Sequence, residues 1–201
     1  PGFWVQLGMI GSSYAFMGLW GIRYLQDVHQ LSRGASANLM TAQLLSFALG
    51  ALFWGWISDR IGRRKPFLIA AAAAFLVSWP MLMYLPWTPG ISGYLLFAFM
   101  GFAASGFVIT FAAAKEIVHP NLSGMGVSVV NTGCFVGTAL AQPLVGYIAD
   151  LTWDGTMAAG VRIYSAGDYQ NGFIAMIMLC VLALIAAFRV RETYCRNSFK
   201  E

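Results

Sequence analysis

Charge is what this chain has least of. Asp, Glu, Lys and Arg make up only 10% of its 201 residues, whereas hydrophobic residues make up 59%. A soluble domain carries charge on about 25% of its residues, so this chain has too few charged side chains to cover a surface that faces water. We therefore predict that lipid is its solvent. A chain of this length holds about six spanning helices of roughly 20 residues each.

Two further shortages exclude kinds of site. The chain has three cysteines, Cys134, Cys180 and Cys195, and their spacing matches neither a metal site nor a disulfide framework. It has two histidines, His29 and His119, both between apolar runs, and no nucleophile with a base at helical spacing. We therefore predict no enzyme activity, no bound metal and no cofactor.

The net charge of +4 is small, and the basic residues lie between apolar runs, where lipid headgroups are expected. We predict no nucleic-acid partner. The chain also lacks an initiator Met and a basic leader, and its first apolar run is too long for the core of a signal peptide. We interpret that run as a true span, and the missing Met suggests a fragment of a longer polypeptide.

Six apolar runs predict an all-α membrane protein whose single domain covers residues 1–201. The predicted spans are about 3–25, 37–57, 66–85, 91–114, 125–149 and 171–190. An even number of spans puts both termini on one side of the membrane, and nine basic residues lie on that side. They are Arg60, Arg63, Arg64, Lys65, Lys115, Arg189, Arg191, Arg196 and Lys200. Only Arg23, Arg33 and Arg162 lie on the other side, so the positive-inside rule predicts cytoplasmic termini.

The charge is concentrated in the link between the second and third spans. Residues 55–65 are Gly-Trp-Ile-Ser-Asp-Arg-Ile-Gly-Arg-Arg-Lys, a segment we call the signature loop. Its beginning recurs in Gly146-Tyr-Ile-Ala-Asp150, so that Gly55 corresponds to Gly146 and Asp59 to Asp150. Each copy closes the second span of a three-span unit, and because three is odd, the second unit is inverted. Inverted three-helix repeats are a transporter architecture. The alternative is that Gly-x-x-x-Asp is a common helix ending.

The signature loop resembles the loop that joins the second and third helices in each half of the major facilitator superfamily. The six-span topology extends this resemblance over the chain and implies one half of a twelve-helix fold. The resemblance also implies that the loop latches one conformation of a protein that rocks between two. Gly55 and Gly62 would permit close backbone approach, and Asp59 would cap a helix or pair with a cation. The basic residues that would pair with carboxylates or lipid phosphates are Arg60, Arg63, Arg64 and Lys65. The alternative is a loop that only anchors the topology.

Three features resemble the C-terminal half of the family rather than the N-terminal half. The chain ends about ten residues after the sixth span, and Arg191-Glu192-Thr193 resembles the Glu-Thr close of many members. The fourth span has no charge, whereas the N-terminal half usually carries an arginine there. The expected partner is the other six-helix half, in the same polypeptide.

The family fold lines its central cavity with the first and fourth helices of each half, helped by the second and fifth. Polar and aromatic residues on these spans are therefore the candidates for contact with a solute. They are Ser13, Tyr14, Trp20, Tyr24, Gln43, Ser105, Thr110, Asn131 and Gln142. Such uncharged groups suit a small polar or amphipathic solute. The alternative is that they hold helices together. No Asp, Glu, Lys or His lies well inside a span, so we expect any main proton relay in the other half.

Together these features predict a secondary active transporter of a small solute, proton-coupled and working by alternating access in the inner or plasma membrane. We favour uptake of the solute. An efflux antiporter, a self-contained six-helix channel and a half-transporter that dimerises remain open alternatives. The sequence indicates how such a protein moves and is silent on what it carries.

Overall fold

The apolar runs fold as helices in the computed structural model, which describes residues 1–158 and 160–198. The α-helices are α1 Gly2–Ala15, α2 Gly21–Asp27, α3 Arg33–Ile61, α4 Lys65–Tyr84, α5 Ile91–Ala104, α6 Ile109–Lys115, α7 Ser123–Asp150 and α8 Ala166–Arg189. A π-helix, Phe16–Trp20, joins α1 to α2, and a 3-10 helix, Ser105–Val108, joins α5 to α6. Another 3-10 helix, Pro120–Leu122, precedes α7, and the strands Met157–Ala158 and Val161–Arg162 form a short antiparallel hairpin.

The six predicted spans are all present as helical segments. Span 1 is α1 with the π-helix and α2, span 2 is α3, and span 3 is α4. Span 4 is α5 with its 3-10 helix and α6, span 5 is α7, and span 6 is α8. In the described part of the chain, five helices are long and apolar enough to cross a membrane. Span 1 is absent from those five, and its π-helix divides it into shorter regular pieces. The all-α membrane fold is thus confirmed.

Span 2 runs further at both ends than its apolar run, because capping groups extend the helix. At its start, the Ser32 side chain accepts a hydrogen bond from the amide of Ala35. At its end, Gly62 adopts the left-handed conformation, with φ 73°, that commonly terminates helices. Span 6 begins with a capping box between Ser165 and Asp168. Polar residues just outside an apolar run therefore set where these helices begin and end.

Glycines bring the backbones of the two three-span units into direct contact. A Cβ atom built on Gly137 in span 5 would lie 2.1 Å from the carbonyl oxygen of Leu7 in span 1. One built on Gly101 in span 4 would lie 2.0 Å from the carbonyl oxygen of Gln43 in span 2. Span 1 of the first unit thus packs on span 5 of the second, and span 2 packs on span 4. In each case the first span of one unit packs on the second span of the other, which is the pairing that an inverted repeat requires.

The helical breaks obey the same symmetry. The π-helix Phe16–Trp20 interrupts the first span of the first unit, and the 3-10 helix Ser105–Val108 interrupts the first span of the second. Such breaks within a helix are frequent at hinges and functional sites. The two spans expected to line the cavity are therefore the two whose α-helical hydrogen bonding is interrupted between their ends.

Both described chain ends lie at one end of the bundle, because Pro1 and Arg191 line the same cavity. The signature loop is at this end too, since Arg64 contacts Glu192. We call this the Asp59 end, and the opposite end, which carries the hairpin, the Asp150 end. Between them the core is aromatic: the buried ring of Phe16 packs edge-on against Trp79 and Phe173.

Replacement of Gly137 by alanine tests the close contact of spans 1 and 5. The added methyl group would overlap the Leu7 carbonyl, so span 1 must move, at a cost of about 1–3 kcal/mol. Gly124→Ala in the first turn of the same helix is the matched control, because nothing lies within 4 Å of its Cβ position. We expect chemical unfolding in detergent to show a clear loss for Gly137→Ala and none for Gly124→Ala. Equal stabilities would contradict the backbone contact.

Candidate conformational switch and solute cavity

The signature loop turns sharply at Gly62. The amide of Gly62 donates to the carbonyl oxygens of Ser58, at 3.0 Å, and Asp59, at 3.2 Å, and the left-handed conformation at this residue favours glycine. A Cβ built on Gly62 would meet no atom of the described chain within 4 Å, so close backbone approach at this glycine is not seen among the described residues and stays a prediction. Its conformational freedom makes the turn. Gly55 also has no described neighbour within that distance.

Arg64 is the centre of the site. Its side chain is only 8% exposed, and its Nη1 lies 2.5 Å from Oδ1 of Asp59 and 3.0 Å from Oγ of Ser58. Its Nη2 lies 2.7 Å from Oε1 of Glu116, a residue that directly follows span 4. The guanidinium therefore joins the end of span 2 in the first unit to the end of span 4 in the second.

The C-terminal tail supplies a third carboxylate. Glu192 accepts hydrogen bonds from the backbone amides of Arg64, at 2.8 Å, and Lys65, at 3.1 Å. These amides are at the N-terminus of α4, where a negative charge is favourable. The hydroxyl of Thr193 donates to the Glu116 carboxylate, and the amide of Ser198 donates to the Glu116 carbonyl oxygen at 2.7 Å. The tail thus fastens spans 3 and 4 to the same site.

These contacts hold the network in its charged form. Burial lowers the pKa of the Arg64 guanidinium, but hydrogen bonds to Glu116 and Asp59 outweigh it, so the pKa is raised above its ordinary value. For Glu192, burial raises the pKa. Hydrogen bonds from the backbone amides of Arg64, Tyr194 and Lys65 lower it by more, so the pKa lies below its ordinary value. Both groups are therefore ionised at neutral pH.

The side chains of the other basic residues of the loop lie outside this network. Arg60 stacks over the ring of Trp56, with 5.4 Å between its Cζ and the ring centroid. Within the described chain, neither Arg63 nor Lys65 forms an ion pair through its side chain. Of the four cations, only Arg64 joins the two units through its side chain in the described part of the chain.

The inverted copy has its own acid–base pair at the Asp150 end. Oδ2 of Asp150 lies 2.5 Å from Nη1 of Arg162, and Oδ1 accepts a hydrogen bond from the hydroxyl of Tyr164 at 2.7 Å. The Asp150 and Arg162 side chains are 38% and 49% exposed, so water screens this pair. Gly146 makes room for Trp20, since a Cβ there would lie 3.1 Å from the indole ring.

Most of the candidate cavity residues are buried inside this half. These are Ser13, Trp20, Tyr24, Gln43, Ser105 and Thr110. Several already bond to backbone: Trp20 donates to the carbonyl of Gln142, and Tyr24 to that of Leu82. Ser105 and Thr110 donate to carbonyls three residues earlier on their own helix. In the structure described, these groups join helices or satisfy their own backbone, and solute contact stays a prediction.

Three candidates, Tyr14, Asn131 and Gln142, keep exposed surface, and Tyr14 is 40% exposed. Gln43 is different: its side chain is fully buried, and neither amide atom has a hydrogen-bond partner among the described residues. A buried amide without a partner costs about 1–3 kcal/mol. It is a group with unused capacity for a polar contact.

Sequence reasoning missed an aromatic row beside these residues. The ring of Phe47 in span 2 lies 6.4 Å from that of Tyr14 and stacks at 5.7 Å on that of Phe107 in span 4. Phe47 follows Gln43 by one helical turn, and that spacing is the sequence feature that would have identified it. The row connects spans 1, 2 and 4 along one face of the half.

The two acid–base pairs should differ in their effect on stability. Arg64→Gln leaves the Glu116 carboxylate, whose side chain is only 14% exposed, without its cation, and we expect a loss of about 3 kcal/mol in the free energy of unfolding. Arg162→Gln, the matched change in the exposed pair, should leave the unfolding midpoint unchanged within error. Chemical unfolding of both variants measures the difference, and similar losses would contradict the assigned burial.

Acid should weaken the tail contact. Because the pKa of Glu192 is lower in the folded chain than in the unfolded one, its contribution is complete above the unfolded value and is lost as pH falls through the folded value. We expect unfolding midpoints measured from neutral pH down to acid to fall less steeply for Glu192→Gln than for the parent chain. Parallel profiles would show that this carboxylate adds nothing to stability.

Comparison with known proteins places the chain in a family. Residues 2–198 match the model for the Major Facilitator Superfamily. The chain is 30% identical over 131 residues to the uncharacterized MFS-type transporter YceJ of Bacillus subtilis, covering 64% of the chain and 33% of that protein. It is 29% identical over 121 residues to multidrug resistance protein D of Escherichia coli, covering 60% and 30%.

Among solved structures, the inward-open xylose transporter XylE of E. coli superposes with a TM-score of 0.69 at 18% identity. The match covers 95% of this chain and 47% of XylE. The chain thus spans about a third of the length of these curated relatives and about half of XylE. Its relatives and its fold are those of transporters, so it is not an enzyme. The chain belongs to the major facilitator superfamily.

Proposed function

We propose that this chain is the C-terminal six-helix half of a secondary active transporter that moves a small solute across the inner or plasma membrane by alternating access. The observation that carries the proposal is the buried guanidinium of Arg64, held between Asp59 and Glu116. Its carboxylate partners belong to different three-span units. A rearrangement that separates the ends of spans 2 and 4 must therefore break this contact.

Breaking the contact is costly enough to bias a conformational equilibrium. A buried charge that loses its partner costs about 3–5 kcal/mol. A free-energy difference of about 5.5 kcal/mol is enough to shift a protein from almost entirely one of two conformations to almost entirely the other. The Arg64 network thus stabilises the state in which the Asp59 end is closed. In the other state the network is broken, and contacts with the solute and with the other six-helix half offset the free energy that is lost.

The Asp59 end is the cytoplasmic end in this proposal. The loop cations, Lys115, Arg189 and Arg191 gather there, whereas Arg23, Arg33 and Arg162 belong to the opposite end or the links near it. Such a bias is typical of cytoplasmic loops. Lys200, the last basic residue counted toward this side, lies outside the described residues.

The solute is small, uncharged over much of its surface, and polar or amphipathic. The exposed Tyr14 and the partly buried Asn131 and Gln142, with the amide of Gln43 that has no partner among the described residues, offer hydrogen bonds, and Phe47 offers a stacking surface. The described spans carry no Asp, Glu, Lys or His well inside the bilayer, so proton coupling is assigned to the other half, in the same polypeptide. Similarity to XylE, one structure of which is described as a proton:xylose symporter, supports coupled uptake.

Efflux of an amphipathic compound is the second candidate. The aromatic row of Tyr14, Phe47 and Phe107 suits a flat apolar surface, and one relative is named as a multidrug resistance protein. Uptake and efflux differ in the sign of net flux under an imposed proton gradient. Flux of a solute panel through vesicles that contain the full-length protein separates them. Absence of gradient-dependent flux for every solute, with insertion verified, would overturn the transporter proposal.

Asp59→Asn tests the latch directly. Asparagine keeps the size of the side chain but removes the charge that faces Arg64, so the closed state is weakened. We expect the transport rate to fall roughly tenfold, equivalent to about 1.4 kcal/mol, with normal membrane insertion. Asp154→Asn is the control, because that carboxylate lies in the exposed hairpin link and bonds only within it. Unchanged transport in Asp59→Asn would show that the loop only anchors the topology and is not a latch.

A further inference from the structure

A second cavity lies at the Asp59 end, apart from the signature loop. Its volume is about 210 Å³, and it is bounded by the start of spans 1 and 5 and the end of spans 4 and 6. Its walls are apolar and include Phe3, Ala113, Ile117 and Val130. Thr110 also lines it, but its hydroxyl donates to the Phe107 carbonyl and accepts from Gln6. The interior therefore suits hydrocarbon.

The rim of this cavity is cationic. Arg189, the last residue of span 6, and Arg191 both line it, and both are exposed. In the part of the chain that the structure describes, neither has a carboxylate within ion-pair distance, whereas Arg64 has two. Two cations at the end of a span lie at the level where lipid phosphates are found.

We propose that this cavity binds one anionic phospholipid of the surrounding bilayer. An acyl chain packs against the apolar walls, and the phosphate lies between the guanidinium groups of Arg189 and Arg191. Arginine suits this role because its planar donors can bind phosphate oxygens in pairs. The selectivity follows from charge: a zwitterionic lipid brings the same hydrocarbon but no net negative charge to the rim.

The charge complementarity distinguishes this cavity from the hydrophobic groove between spans 3 and 4. That groove is lined by residues such as Leu85, Trp87 and Leu95, and no charged side chain lines it. It therefore offers no basis for choosing one lipid over another. At the Asp59 end, hydrocarbon walls and unpaired cations occur together, which is the combination that a lipid with a charged head and an apolar tail matches.

Native mass spectrometry of the full-length protein tests the proposal. The protein is equilibrated with equal amounts of phosphatidylglycerol and phosphatidylcholine that carry identical acyl chains. We expect the protein to retain one phosphatidylglycerol in preference to phosphatidylcholine. This preference should fall roughly fivefold in each of the single variants Arg189→Gln and Arg191→Gln. The double variant Arg33→Gln/Arg196→Gln removes the same charge as the two cavity substitutions combined, but from exposed positions outside the cavity, and should keep the preference within twofold.

Val129→Trp tests the cavity independently of charge. Val129 lines the cavity and is 58% exposed, so a larger ring fills the space without disturbing the core. We expect it to displace the retained lipid while both arginines remain. Equal retention of the two lipids by the parent protein, or no retention at all, would overturn the proposal. So would a control that loses the preference as strongly as the cavity variants, or a tryptophan variant that still retains the lipid.

Discussion

The whole Asp59 end depends on neutralising one buried cation. The Arg64 side chain is 8% exposed at a point where the chain leaves the bilayer, and a guanidinium so placed must have carboxylates around it. Asp59 comes from the same loop, but Glu116 directly follows span 4 and Glu192 belongs to the tail. Because the three carboxylates must lie close to Arg64, they fix how the loop, the end of span 4 and the tail are arranged in this structure. The electrostatic requirement therefore acts as the fastening between the two units at this end.

Symmetry of the backbone and symmetry of the charges are separate in this half. Glycine contacts pair span 1 with span 5 and span 2 with span 4, as inverted units demand. The two Asp residues also occupy equivalent positions, and each has an arginine partner. Arg64 is nevertheless buried, whereas Arg162 is half in water. The strong contact at the Asp59 end is therefore the one between Arg64 and Glu116, whose side chain is 14% exposed, because Asp59 itself is 65% exposed. The two ends are not interchangeable energetically.

The features that the sequence predicted well are the local ones. Apolar length determined the spans, and the repeated Gly-x-x-x-Asp located both loops. The partners of Arg64 were missed, because Glu116 and Glu192 lie 52 and 128 residues away and nothing in the loop specifies them. The hydroxyls of Ser105 and Thr110 donate to carbonyls three residues earlier, which the sequence does not indicate, and their contact with a solute stays a prediction. Composition predicts that a polar group lies in a span, and only the helix geometry determines where its hydrogen bond goes.

The pairing of spans also limits how this half can move. Each close backbone contact joins one span of the first unit to one of the second, and a close-packed interface of this kind has little freedom to slide. We infer that the two units stay packed together at these contacts, so the separation that breaks the Arg64 network is confined to the ends of spans 2 and 4. Local bending is then confined to the places where helical hydrogen bonding is already interrupted, at Phe16–Trp20 and Ser105–Val108. Both breaks lie near the aromatic row, since Phe107 belongs to the 3-10 helix and Tyr14 precedes the π-helix by two residues. A solute bound against that row therefore contacts spans 1 and 4 close to the places where their α-helical hydrogen bonding is interrupted.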